Sequence, residues 1–188
     1  DLLKSLYLLL RKIEKLGLIS TQDEAGPYIS PDLGTEVRSY GQIIRRELRQ
    51  YHSNVEEVTV FDSPNSEQAI ALSKAADADL VIFASFVPLA AYKAGSGLIP
   101  LAQGDFIKEL KVKSKHLTIL IYGSPYVLRE LAKGDITLCA YGNTLPALKA
   151  SVEVLCGKAS SRGKLPVTIL PEYLYRVSIW CWNKSLKL

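Results

Sequence analysis

The chain has 188 residues, 48% of them hydrophobic and 22% charged, with a formal net charge of +4. That length and balance fit one globular domain able to bury its own core. No apolar run reaches the roughly 18 residues that a membrane-spanning helix needs. The small basic clusters at Arg45, Arg46 and Arg49 and at Lys111, Lys113 and Lys115 read as solvated helix faces and loops, so no nucleic-acid partner is expected.

The start, DLLKSLYLLLRK, lacks the basic leader and the small-residue cleavage site of a signal peptide. It is read as an amphipathic linker over residues 1–14, leading into a main domain over residues 15–172. The absence of methionine, even at position 1, predicts that the chain starts inside a longer gene product or has lost its beginning, for example by processing. LGLIS (16–20) predicts the first strand. From Thr35 to Tyr51 the residues Val37, Tyr40, Ile44, Leu48 and Tyr51 recur three or four apart, which places them on one helical face with the arginines opposite. VTVF (58–61) predicts a strand. Ser63-Pro64 then opens a helix through Ala76, a capping residue followed by proline at the first helical position.

DLVIFASFV (79–87) is almost unbroken in apolar character, as a strand is when helices cover both faces of a parallel sheet. After the loop AYKAGSGLIP come a helix around Gln103 to Lys111 and the buried strand LTILIY (117–122). Ser124-Pro125 repeats the cap-and-proline opening, here for a short helix through Ala132. ITLCAY (136–141) is the next strand. Thr144 opens a helix that stops at Gly157, a natural left-handed terminator. PVTIL (166–170) is the last predicted strand. The tail SIWCWNKSLKL, within residues 173–188, predicts an edge strand or a strap carrying Trp180 and Trp182. The alternation predicts an α/β fold: a three-layer, open, mostly parallel, doubly wound sheet of about six strands with helices on both faces.

In such a sheet, ligands bind beyond the carboxyl ends of the strands. Little chemistry stands there. GKASSRGK (157–164) has the wrong spacing for a phosphate loop and follows a helix instead of a strand. Gly123-Ser124-Pro125 occupies the place of a nucleophile elbow without its G-x-S-x-G letters, so Ser124 reads as a helix cap. His52 and His116 are too few for a metal centre or a relay triad, so no metal and no cofactor is expected. Asp23, Glu24 and Asp105 read as loop and cap carboxylates, and no catalytic residue is assigned. Cys139, Cys156 and Cys181 form no CxxC pair. Cys139 and Cys156, in apolar contexts, fit buried free thiols in a reducing, cytoplasmic compartment.

Against that background, residues 122–168, YGSPYVLRELAKGDITLCAYGNTLPALKASVEVLCGKASSRGKLPVT, are informative. They resemble the carboxyl-terminal α/β-sandwich domain of family-3 glycoside hydrolases. A strand runs into Gly123-Ser124-Pro125-Tyr126, the next ends in Tyr141-Gly142, and a helix leads through Leu155-Cys156-Gly157 to the G-K-L-P-V-T run at Gly163 to Thr168. ADADLVIFASF and LAQGDFIKEL add weaker matches upstream. The resemblance implies an accessory domain whose partner is an N-terminal (β/α)8 barrel, with the nucleophilic aspartate on that barrel and carbohydrate as the substrate class. In the β-glucosidase-like branch a glutamate from this domain serves as acid/base. The corresponding loop here, PLAAYKAGSGLIPLAQGD, has none, so the resemblance leans to the β-N-acetylhexosaminidase-like branch. Tyr92, Lys93, Tyr141 and Asn143, beyond strand carboxyl ends, are expected to face the partner. The other reading is a stand-alone flavodoxin-like module that holds a small ligand without catalysis.

Overall fold

A computed structural model describes residues 8–21, 39–60, 66–87, 97–99, 101–131, 134–169 and 180–182. Six strands, β1 (Leu16–Thr21), β2 (Val55–Val60), β3 (Leu80–Val87), β4 (Leu117–Gly123), β5 (Ile136–Cys139) and β6 (Trp180–Trp182), form one sheet in the order β2-β1-β3-β4-β5-β6. The first five are parallel and β6 runs antiparallel to β5. The order reverses between β1 and β3, which makes that crevice the topological switch point.

The helices are α1 (Tyr40–Leu48), α2 (Ser66–Asp77), α3 (Leu101–Lys113) and α4 (Leu145–Leu155), with a 3-10 turn at Pro125–Arg129. Strand alternation sorts them into layers. Phe83 on β3 meets Phe106 of α3, whereas Phe86, of opposite parity on the same strand, stacks on Tyr40 of α1. α1 also packs with α4, and α2 with α3, so each pair covers one face. β1 is buried along its whole length, as are β3 and β4 apart from Phe86 and Gly123, which is why they read as continuous apolar runs. The fold class expected from the alternation of elements is the one observed.

Local chemistry explains several boundaries. Ser39 starts α1 with a capping box: its hydroxyl accepts from Gln42 N–H at 3.2 Å, and the Gln42 side chain accepts from Ser39 N–H at 3.3 Å. Thr144 and Ser124 hold the capping positions expected of them, but neither side chain bonds the helix it opens. Gly157 takes the left-handed conformation (φ 70°) that ends α4. Ser63-Pro64 lies outside the described residues.

PVTIL is where the expectation fails. Residues 166–169 do not form a strand, and the sixth strand comes from the tail. Pro166 lacks the N–H a ladder needs, and the free edge of β5 is taken by Trp180–Trp182. Leu165 and Ile169 are nevertheless buried, so this stretch packs its apolar side chains without joining the sheet.

The amino ends of the strands are clamped to the segment before β1. The Asp79 carboxylate accepts from Glu14 N–H at 3.0 Å, Lys15 N–H at 3.2 Å and Lys115 Nζ at 2.9 Å. The His52 ring nitrogens contact Ile13 O and Asn54 O at 3.0 and 3.1 Å, and Asn54 Nδ2 donates to Glu14 O at 2.9 Å. These bonds, the Lys115 bond foremost, hold the Asp79 carboxyl at about 2, below its ordinary 3.8. The folded chain therefore protonates this group later than the unfolded chain does. Its stabilisation is complete above about pH 4 and is lost as pH falls toward 2. Because the side chain is about a third exposed, solvent screening leaves a contribution of about 1 kcal/mol. Urea melts at pH 5 and pH 2.5 should show an acid loss in the native chain that is smaller by about that amount in Asp79→Ala.

Candidate functional site

The carboxyl edge of the sheet is built around a column of aromatic rings. Phe86 lies between Tyr40 and Tyr122, with ring centroids 4.5 and 4.6 Å away and planes within 18° and 6° of parallel. Such offset stacks add to the burial of each ring. The register pairs Phe86 with Tyr122, so neighbouring strands place both rings on the α1 and α4 face. Tyr122 is wholly buried, and burial pushes its phenol well above the usual range, so the group is a hydroxyl and not a phenolate. Its oxygen lies 2.5 Å from Ser151 Oγ, which itself donates to Leu148 O at 2.7 Å. Ser151 thus spends its proton on the helix, and Tyr122 donates to Ser151.

Polar bonds fasten the edge around this column. Thr21 Oγ1, at the end of β1, accepts from Phe86 N–H at 2.9 Å across the switch point. Asn143 Nδ2 donates to Tyr40 Oη at 2.7 Å, joining the loop after β5 to the start of α1. Gly123 has φ 113° and abuts Val87 O so closely that a Cβ would overlap it. Tyr141, next to Asn143, has φ 59°, a left-handed conformation that is uncommon without glycine, and its ring is 37% exposed.

Two more large apolar side chains are exposed at this edge. Tyr126 follows β4, with the Arg129 guanidinium 5.3 Å from its ring centroid. Leu98 lies before α3, where the adjacent Ile99 N–H donates to Glu130 of the 3-10 turn's end at 3.3 Å. Exposed Leu98, Tyr126 and Tyr141 thus follow the carboxyl ends of the three central and neighbouring strands β3, β4 and β5.

Of the residues expected to face a partner, Tyr141 is exposed at the edge, and Asn143 is engaged in holding α1. Tyr92 and Lys93 lie outside the described residues, as do Asp23 and Glu24. Asp105 is exposed and pairs with Lys108 at 2.8 Å, and both histidines sit at the opposite, amino-terminal pole. Sequence reading missed Glu57. This half-buried carboxyl on edge strand β2 is raised by burial, opposed by a bond from Thr59 and the charge of Arg45. It packs under α1 so tightly that a Cβ on Gly41 would overlap both Ser20 Oγ and Glu57 Oε1. Among the described residues no three potential ligands cluster for a metal.

No family model matches the chain, and no curated protein matches it. Solved structures share its fold. A glycoside hydrolase family 3 β-N-acetylglucosaminidase from a Paenibacillus species matches over 82% of this chain and 27% of its own, with TM-score 0.61 and 21% identity. A fungal multi-domain family 3 β-N-acetylglucosaminidase matches over 84% of this chain and 16% of its own (TM-score 0.62, 19% identity). A β-glucosidase from Listeria innocua matches over 78% and 22% (TM-score 0.55, 17% identity). The chain therefore has the fold of one part of these larger proteins and spans about a quarter of their length or less.

Proposed function

We propose that this chain is the accessory α/β-sandwich domain of a family-3-type glycoside hydrolase of the β-N-acetylglucosaminidase-like branch, packing on a (β/α)8 barrel and walling its carbohydrate cleft. The carrying observation is the carboxyl edge itself. Exposed Leu98, Tyr126 and Tyr141 each come after the carboxyl end of a strand, where a doubly wound sheet presents its functional surface, and the aromatic column stiffens the ends of β3 and β4. Aromatic and aliphatic anchors over a rigid base suit a protein contact better than bond breaking. Partial coverage of the matched enzymes supports the same reading over a stand-alone ligand module.

In this reading Tyr141 and Asn143 belong to the docking edge with Tyr92 and Lys93, and the acid/base and nucleophile both come from the barrel. Buried Cys139 and Cys156 are compatible with a cytoplasmic location; burial lifts the Cys156 thiol to about 12, which keeps it protonated and unreactive.

The test is turnover. The isolated chain should hydrolyse a chromogenic N-acetyl-β-glucosaminide no faster than buffer does. Robust hydrolysis by the chain alone would overturn the assignment. Leu98→Asp with Tyr141→Asp should leave the chain's own stability within about 0.5 kcal/mol, as exposed substitutions do. The same pair should weaken its association with the barrel at least tenfold, as charging an interface core does.

A further inference from the structure

The first turn of α1 rests on polar groups that are poorly satisfied. β2 runs beside β1 with Leu18 opposite Glu57 and Ser20 opposite Thr59, so Ser20, Glu57 and Thr59 share the sheet face that α1 covers. Gly41 abuts both Ser20 Oγ and Glu57 Oε1, and Arg45 stands one turn further along the same side of the helix. The half-buried Glu57 carboxyl accepts a long bond from Thr59 Oγ1, at 3.3 Å. Ser20 Oγ and Arg45 Nε are buried and have no partner among the described residues. The neighbouring charges are committed elsewhere. Glu56, on the other face of β2, pairs with Lys15 and Lys74 at 3.5 and 3.4 Å, Glu47 of α1 pairs with Arg46 at 3.0 Å, and Arg49 is exposed. Arg45 is the cation whose field reaches Glu57.

We propose that Glu57 is a proton-operated latch on the first turn of α1: as a neutral acid it stays beneath Gly41, and as a carboxylate it turns to Arg45 and releases that turn. The driving force is the mutual need of two unsatisfied groups. A carboxylate held between helix and sheet needs more donors than Thr59 supplies, and the buried Arg45 Nε needs an acceptor. Burial, opposed by the Thr59 bond and the Arg45 charge, raises the Glu57 carboxyl above its ordinary 4.5. It therefore gives up its proton at a higher pH than an exposed glutamate does. Without a side chain, Gly41 brings the helix backbone directly onto the carboxyl, so the movement passes to its neighbour Tyr40. Tyr40 stacks on Phe86 and accepts from Asn143, which carries the latch to the carboxyl edge. Proton control of docking rests on the function proposed above; the latch itself does not.

Carbon and nitrogen magnetic resonance of the 188-residue chain, titrated from about pH 4 to pH 8, tests the latch without any partner. The Glu57 carboxyl carbon should titrate with a midpoint above 4.5, and the Gly41 amide, Arg45 Nε–H and Asn143 side-chain amide should shift with that same midpoint. Glu57→Gln should abolish those three shifts and hold the signals at their acid-side positions. It should also stabilise the chain at neutral pH, because a carboxyl raised by folding costs stability as pH climbs through its folded value. Arg45→Gln should raise the Glu57 midpoint further and flatten the Gly41 and Asn143 shifts. A Glu57 midpoint at or below 4.5, a Glu57 titration that Gly41 and Asn143 do not follow, or shifts that survive Glu57→Gln would each refute the latch. None of these readings involves the barrel, so a failure of the docking assignment would leave them unchanged.

Discussion

Gly123→Ala should be among the most damaging single changes in the chain, destabilising it by about 2–6 kcal/mol. Two effects add. A φ of 113° is a backbone conformation that side-chain-bearing residues resist, worth roughly 1–3 kcal/mol of strain. The new Cβ would also overlap Val87 O, a backbone atom fixed in the β3–β4 ladder, and relieving such overpacking costs about 1–3 kcal/mol more. Relief would have to part the carboxyl ends of β3 and β4, where Phe86 and Tyr122 stack. Gly142→Ala provides the control, since a Cβ there meets open space. Urea denaturation should show a large fall in midpoint for the first variant and almost none for the second. Similar midpoints would mean that the tight β3–β4 closure is not a feature of the folded chain.

Tyr122→Ala should cost about 4 kcal/mol, by loss of a fully buried aromatic side chain and of its stack on Phe86. For a chain of this size each kcal/mol moves the melting temperature by about 2–4 °C, so a drop of about 8–16 °C is expected. Tyr122→Phe separates ring from hydroxyl. It keeps the stack and removes only the bond to Ser151, whose own proton remains on Leu148 O. That variant should lose about 1–2 kcal/mol. Equal losses from both substitutions would place the stabilisation in the hydroxyl and not in the aromatic column.

These two residues mark the boundary of what the sequence makes legible. DLVIFASFV and LTILIY announce buried parallel strands because burial on both faces removes every polar position, a local signature. The α1 face was equally plain from Tyr40, Ile44 and Leu48. The column Tyr40–Phe86–Tyr122 was not, because its members lie 36 or more residues apart and periodicity carries no information about which strands become neighbours. Asn143 was expected at the carboxyl edge from its position after a strand, yet its bond to Tyr40, 103 residues earlier, needs the topology. PVTIL failed as a strand for a similar reason. PVTIL has strand-like letters, but the free edge of β5 selects its partner by long-range fit, and Pro166 makes a poor one. Tyr141 shows the same limit at the level of one residue: nothing in YGN foretells its left-handed backbone.

The account rests on the carboxyl edge being a surface made to be covered. Hydrogen–deuterium exchange, comparing the 188-residue chain alone with the same chain joined to or mixed with the barrel, examines that surface directly. Amides around Leu98, Tyr126 and Tyr141 should become strongly protected, while those at the opposite pole, at Leu48 and Tyr51, should exchange as before. Unchanged exchange at the three edge residues, or protection confined to the opposite pole, would contradict it.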